Sequence, residues 1–249
     1  MSKNMIVIGA SAGGIEALRT LFGALPGDIP ASIFVVVHVS PQSPSVLPQI
    51  FSRAGDVSVV SPRDWEEIRP GQIYVAPPDH HLIIEPPAYV RLTRGPKENR
   101  FRPAVDPLFR SAARAFGPRV IGVVLSGGLD DGTAGLLAIK RQGGITVVQD
   151  PHEAYAPSMP LNALKHVKID HCLPVSELAP LLVRLASEPY EEKGAYAVPE
   201  NMKLEIKIAR EDRASETDML KWGEKSIYTC PECHGTLLEM KESGLLRFR

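Results

Sequence analysis

The chain has 249 residues, enough for one large domain and an appendage, and its 28 lysines and arginines against 29 aspartates and glutamates (net charge -1) give no basic excess to hold a polyanion. Nucleic acid is therefore not an expected partner, and a small molecule or another protein is. Hydrophobic content of 44% is too high for a disordered chain, and the apolar run Met5 to Ala10 is too short for a signal-peptide core or a membrane span, so a cytoplasmic location without membrane insertion is expected.

In chain order, Met5 to Gly9 is a continuous run of β-branched type, and Ile15, Leu18, Leu21, Phe22 and Leu25 follow at helical spacing. Pro26-Gly27 closes that helix. Ile33 to Val37 then reads as a strand covered on both faces, so the chain opens with a βαβ unit. Further strands are expected at 57–60, 73–76, 82–84, 89–93, 120–125 and 145–148, with helices at 44–54, 107–115, 133–141 and 160–166. This alternation predicts an α/β class fold, a doubly wound and mostly parallel sheet with helices on both faces and an antiparallel excursion near 73–93. The core pattern fades after Leu185. Residues 1–186 are assigned to the main domain, 187–225 to a linker or exposed helix, and 226–249 to a separate hairpin.

Gly9-Ala-Ser-Ala-Gly13 satisfies G-x-S-x-G in a strand-turn-helix context, which places Ser11 at a strand end beside a helix N-terminus, where developing negative charge is favoured. A phosphate-cradling turn competes on the local pattern. Against the dinucleotide version, Ser11 stands where G-x-G needs its second glycine, and the second strand ends in His38 where an acid would hold a ribose. Parallel strands present their C-terminal ends on one edge, so His38 is placed to accept the Ser11 proton. At a third strand end, Leu125-Ser-Gly-Gly-Leu-Asp-Asp-Gly132 brings two carboxylates to a helix entrance. One of Asp130 and Asp131 is expected to cap that helix and the other to hold the imidazole. A backbone N–H near Gly127 and Gly128 is placed to bind an oxyanion.

Together with Ala76-Pro-Pro-Asp-His-His81, Arg102-Pro-Ala-Val-Asp106 and Ser158-Met-Pro160, these motifs resemble the chemotaxis protein-glutamate methylesterases of the CheB type over roughly residues 4–185. The resemblance implies a three-layer α/β esterase domain that hydrolyses glutamyl γ-methyl esters on chemoreceptors, releasing methanol, and that in some members deamidates receptor glutamines. It assigns Ser11 as nucleophile, His38 as base and Asp131, which directly precedes Gly132, as orienting acid, leaving Asp130 as the loop or capping residue. Ala12 and Gly128 become the expected oxyanion donors. The order Ser, His, Asp departs from the Ser, Asp, His of α/β-hydrolases. Many members have Ser-Thr where this chain has Ser11-Ala12, and Gly-Met-Gly where it has Gly127-Gly128-Leu129. Phosphorelay members carry an N-terminal receiver domain, whereas here the first catalytic strand starts at Met5, so a stand-alone domain is expected. The expected partners are a methylated chemoreceptor and a receptor methyltransferase, with no cofactor required. The alternative from another class is a catalytically silent module that binds the receptor or the methyltransferase.

Arg102 and Asp106 are expected either to line the substrate groove, with Arg102 pairing a receptor carboxylate, or to form an ion pair holding the loop before the next helix. His80 and His81 point to opposite faces of a strand and so share no ion. Cys172, Cys230 and Cys233 are expected as reduced thiols. Cys230-Pro-Glu-Cys233 is half of a zinc-ribbon pattern, so zinc is expected there only if two further ligands are supplied.

Overall fold

Continuous apolar runs become the middle strands of a seven-stranded, all-parallel sheet. The computed structural model describes residues 4–189, 197–211, 220–221, 223–230, 234–242 and 245–248. In chain order the strands up to residue 173 are β1 (Met5–Ala10), β2 (Ser32–Val37), β3 (Ser58–Val60), β4 (Glu66–Glu67), β5 (Gln72–Val75), β6 (His81–Glu85), β7 (Tyr89–Thr93), β8 (Val120–Val124), β9 (Ile145–Gln149) and β10 (His171–Leu173). The large sheet runs β10-β9-β8-β1-β2-β5-β3. The helices are α1 (Gly14–Gly23), α2 (Leu47–Phe51), α3 (Val105–Phe116), α4 (Thr133–Arg141), α5 (Ser158–His166), α6 (Val175–Ser187) and α7 (Glu200–Ala209).

Strand alternation divides the core in two. Ile6, Ile8, Ile33 and Val35 pack with Leu18, Leu21 and Leu182 of α1 and α6. Met5, Val7, Phe34 and Val36 pack on the other face with Leu108, Phe109, Leu136 and Met159 of α3, α4 and α5. The result is the three-layer arrangement that two buried sheet faces require.

The antiparallel excursion differs in extent from the sequence expectation. Residues 72–75 belong to the parallel sheet, and β4-β7-β6 form a separate three-stranded sheet whose Leu82 and Ile84 join the second core. The helix expected at 44–54 is confined to Leu47–Phe51, with Pro48 in its first turn, where a missing N–H costs nothing. After residue 187 the structure also departs from a linker or exposed helix, because α7 buries Met202, Glu205, Ile206 and Ala209 and packs on α3. Thr93 Oγ1 donates to Ala209 O at 2.6 Å, which ties that helix to β7. Past residue 223, β11 (Glu224–Thr229), β12 (Thr236–Glu242) and β13 (Leu245–Phe248) form a three-stranded antiparallel sheet where a hairpin was expected.

From β1 the chain passes through α1 to β2 on one side, while β8 flanks β1 on the other. The strand order therefore reverses at β1. In open α/β sheets such a switch point leaves a crevice at the C-terminal strand ends, where ligands bind.

Candidate active site

The crevice is built from the ends of β1, β2 and β8. Ser11 follows β1, and its backbone N–H donates to Ser126 O at 2.9 Å, which ties it to the end of β8. Gly13, at φ 76°, turns the chain into α1 in a left-handed conformation that favours glycine. A Cβ at Gly127 would lie 2.9 Å from the Ser11 Cβ, so glycine there is what allows the β8 loop to approach the serine. Ser126 Oγ fixes both loops, donating to Ala12 O at 2.7 Å and accepting from Ala156 N at 2.9 Å. Gly127 N–H is taken by Ala156 O, whereas among the described residues the N–H groups of Ala12 and Gly128 have no hydrogen-bond partner. Both expected oxyanion donors thus remain available beside Ser11, and Gly128 has open space around its Cα.

One rung along the β1–β2 ladder, His38 N–H donates to Ala10 O at 3.1 Å, so His38 sits beside Ser11 at the same edge. Its Nε2 lies 2.7 Å from Asp131 Oδ2, with both side chains buried. Asp131 also accepts from Val105 N at 2.7 Å and, at Oδ1, from Asn99 Nδ2 at 2.7 Å and Asp106 N at 3.1 Å. Burial acts to raise the Asp131 pKa, but the His38 hydrogen bond and charge, with the Val105 and Asn99 donors, hold it below the ordinary carboxylate value. An ionised Asp131 makes Nε2 the donor and leaves the lone pair on Nδ1. That atom is buried and has no hydrogen-bond partner, and no bond joins it to Ser11 Oγ. The common serine-hydrolase arrangement gives Nδ1 to the acid and Nε2 to the serine, so the two nitrogens exchange roles here.

Asp106 departs from the expectation that it lines a groove or pairs with Arg102. It is buried, and its Oδ1 accepts from Gly132 N at 3.1 Å and Gly135 N at 2.7 Å, which supplies the missing cap of α4. Asp130 makes no side-chain cap there, so of its two expected roles, loop or cap, it has that of a loop residue. Asp106 Oδ2 accepts from Asn99 Nδ2 at 3.1 Å, so one amide nitrogen bridges two carboxylates. Burial and the Asp131 charge push the Asp106 carboxyl from its ordinary 3.8 up to about 7, against the lowering effect of Arg110 and Arg247. A folded-state pKa above the unfolded one gives stability that is complete below the unfolded value and lost as pH rises through about 7. The gap bounds the loss at about 4 kcal/mol. Urea unfolding of wild type should therefore weaken between pH 4 and 8 more than that of Asp106→Asn, and parallel pH profiles would refute the linkage.

Arg102 is held by Asp79, at 3.0 Å from Nε and 2.7 Å from Nη2, and by the carbonyls of Arg94 and Gly95. It lines a cleft beside His38 but forms no pair with Asp106. Phe101 and Asn99 were not singled out in the sequence. The Phe101 ring stacks on the His38 imidazole with centroids 3.8 Å apart and planes 4° apart. Their one sequence signal is adjacency to the Arg102 to Asp106 motif. His81 is buried, with Nε2 on Pro96 O and Nδ1 accepting from Ala104 N, whereas His80 bonds Pro78 O. In the tail, Cys233 lies outside the described residues, and among the described residues no group of three or more His, Cys, Asp and Glu side chains is placed to hold a metal ion.

A buried strand-end histidine and aspartate beside a serine, at the switch point of a parallel sheet, define the class of a serine-hydrolase-like α/β domain. The CheB methylesterase family model matches residues 6–182, and the chain belongs to that family. It is 36% identical over 193 residues to a Leptospira interrogans chain provisionally named protein-glutamate methylesterase/protein-glutamine glutaminase, covering 78% of this chain and all of that one. It is 38% identical over 191 residues to protein-glutamate methylesterase/protein-glutamine glutaminase 5 of Anaeromyxobacter dehalogenans, covering 74% of this chain and 51% of that protein. The crystal structure of the Thermotoga maritima CheB methylesterase catalytic domain superposes with a TM-score of 0.72 at 31% identity, covering 74% of this chain and all of that one.

Proposed function

We propose that the chain is a protein-glutamate methylesterase that hydrolyses glutamyl γ-methyl esters on a methylated chemoreceptor. The observation that carries this reading is the His38 Nε2 to Asp131 bond of 2.7 Å, which leaves a buried, unpartnered Nδ1 one ladder rung from Ser11. Ser11 Oγ attacks the ester carbonyl while Nδ1 takes its proton. The N–H groups of Ala12 and Gly128 stabilise the oxyanion. Collapse breaks the bond to methoxide, which leaves as methanol with the proton from Nδ1. Water, deprotonated by the same nitrogen, then releases the glutamate and frees Ser11. With a glutamine substrate the leaving group is ammonia and the remaining steps are unchanged, which accounts for a deamidase activity at the same site.

An exposed rim fits a macromolecular substrate. Tyr155 is 84% exposed against the Gly13 turn, and Leu129 is also exposed in the β8 loop. The cytoplasm, where receptor signalling segments lie, is the proposed location, and the receptor methyltransferase a proposed further partner. No helix among the described residues is long and apolar enough to cross a membrane. No step calls on a cofactor. In the tail, a zinc ion at Cys230 and Cys233 would need ligands from elsewhere.

The test is methanol release from methylated receptor by wild type and Ser11→Ala. Loss of release by roughly 10⁴-fold or more is expected, and activity within tenfold of wild type would overturn the assignment. The silent-module reading draws on the missing Ser11 to His38 bond, yet such bonds often tighten only with substrate in place. A fluorophosphonate probe decides between the two, because labelling at Ser11 requires an activated hydroxyl.

A further inference from the structure

Beside Ser11 the surface keeps two large apolar side chains in water. Tyr155 is 84% exposed, the most exposed large hydrophobic side chain of residues 4–189, and Leu129 is 54% exposed. Single exposed apolar residues are ordinary on a protein surface. These two differ in where they stand. Leu129 directly follows Gly128, whose N–H serves the oxyanion in the proposed reaction. A Cβ added at Gly13 would lie 2.5 Å from the Tyr155 Cβ, so the stem of the tyrosine rests on the turn that carries Ser11 and Ala12 into α1.

Both side chains are held from beneath. The Tyr155 backbone is pinned through its neighbour Ala156, whose N–H donates to Ser126 Oγ at 2.9 Å and whose carbonyl accepts from Gly127 N at 2.9 Å. Leu129 adopts left-handed backbone at φ 65°, which is strained for a leucine, and its carbonyl accepts from Asn162 Nδ2 of α5 at 2.9 Å. The β8 loop that presents Gly128 thus presents Leu129, and the segment bonded to it presents Tyr155, with little backbone freedom left to lose on contact. A tyrosine offers large contact area for only two side-chain torsions.

A polypeptide that brings its ester carbonyl to Ser11 Oγ, with the oxygen toward the Ala12 and Gly128 N–H groups, has to run past the loops that carry these two side chains. We propose that Tyr155 and Leu129 form an apolar seat for a hydrophobic side chain of the substrate polypeptide within four residues of the esterified glutamate, and that they select substrates by it. The inference rests on the esterase reading and adds a feature of its substrate. Half-burial of a leucine-sized side chain against them predicts about a tenfold preference over a polar residue of similar length. Added salt does not screen such a preference, in contrast to selection by exposed charge.

The experiment uses the full chain and glutamyl γ-methyl ester peptides carrying a single Leu or Gln at each position within four residues of the ester. At one or more positions kcat/KM for methanol release should favour Leu by about tenfold, at low and high salt alike. In Tyr155→Ser/Leu129→Asn that ratio should fall toward one, and the ratio cancels any general loss of activity. Asparagine suits the left-handed backbone of residue 129, and an unchanged thermal midpoint checks the fold. A preference below twofold at every position, or one that the double variant keeps, overturns the proposal. Binding of the same peptides to Ser11→Ala protein, followed by fluorescence anisotropy, needs no turnover. Leu-selective binding without methanol release from any peptide or from methylated receptor would sink the esterase reading and keep the seat, whereas binding blind to that residue, or none, would sink the seat. Sedimentation of the wild type supplies the remaining outcome. Self-association that the double variant abolishes would give the two side chains to a second copy of the chain and overturn the proposal.

Discussion

Asp131→Asn is expected to lower kcat for methanol release by roughly 10⁴-fold and to destabilise the fold as well. The reason lies in the four donors around the carboxylate. Oδ2 accepts from His38 Nε2 and Val105 N, and Oδ1 accepts from Asn99 Nδ2 and Asp106 N. An amide must place its NH₂ on one side, and each side already presents two donors. With NH₂ toward His38, the imidazole must shift its proton to Nδ1, which removes the lone pair that would accept the Ser11 proton. With NH₂ toward Asn99, two buried donors oppose a third, at a cost of about 1–3 kcal/mol. Steady-state kinetics with urea unfolding separate the two orientations. Activity within tenfold of wild type would show that Asp131 does not set the tautomer.

The strand ends that carry Ser11 and His38 were legible because each follows an unbroken apolar run, and such runs mark strands covered on both faces. Parallel pairing then places their ends together without any further information. Between Asp130 and Asp131 the pattern of residues left the choice open, and the resemblance chose Asp131, the carboxylate that bonds His38. Asp106 was misjudged because its partners are the N–H groups of Gly132 and Gly135, 26 and 29 residues away, and no local pattern encodes that cap. Asn99 and Phe101 sit in a loop without periodicity, and their roles depend on a pair of left-handed residues that a sequence does not announce. Helix α6 escaped although Leu178, Leu182 and Leu185 keep helical spacing, since Pro180 inside it reads as a breaker. Its buried face outweighs one lost hydrogen bond.

Misreading of α7 has the same origin: charged residues in a polar stretch look solvated until a partner is found. Glu205 Oε2 lies 3.0 Å from Arg110 Nε and its Oε1 2.9 Å from Arg247 Nη1, all three side chains being buried. Arg110 also pairs with Glu98 and lies 4.0 Å from Asp106.

Glu205→Ala is expected to cost about 3–5 kcal/mol, because removing one partner strands desolvated charge. Glu205→Gln, which keeps the volume and one acceptor, should lose less. A loss below 1 kcal/mol for the alanine variant in urea unfolding would show that the network is solvated and that α7 contributes little. The consequence reaches the site through α3. The named groups Arg110 and Arg247 balance Glu98 and Glu205, an arrangement in which Asp106 stays protonated up to about pH 7. Without Glu205 the guanidinium charge is less offset, so Asp106 should ionise at lower pH and bring a second negative charge behind Asp131, across the shared Asn99 amide. The fall in stability with rising pH should then be smaller and end at a lower pH in Glu205→Ala than in wild type. Glu205 and Arg247 both lie beyond residue 182, where the family match ends. If that shift is observed, the C-terminal part of this chain sets the charge state of the carboxylate next to its orienting acid, and truncation before α7 should move the pH dependence of both stability and methanol release.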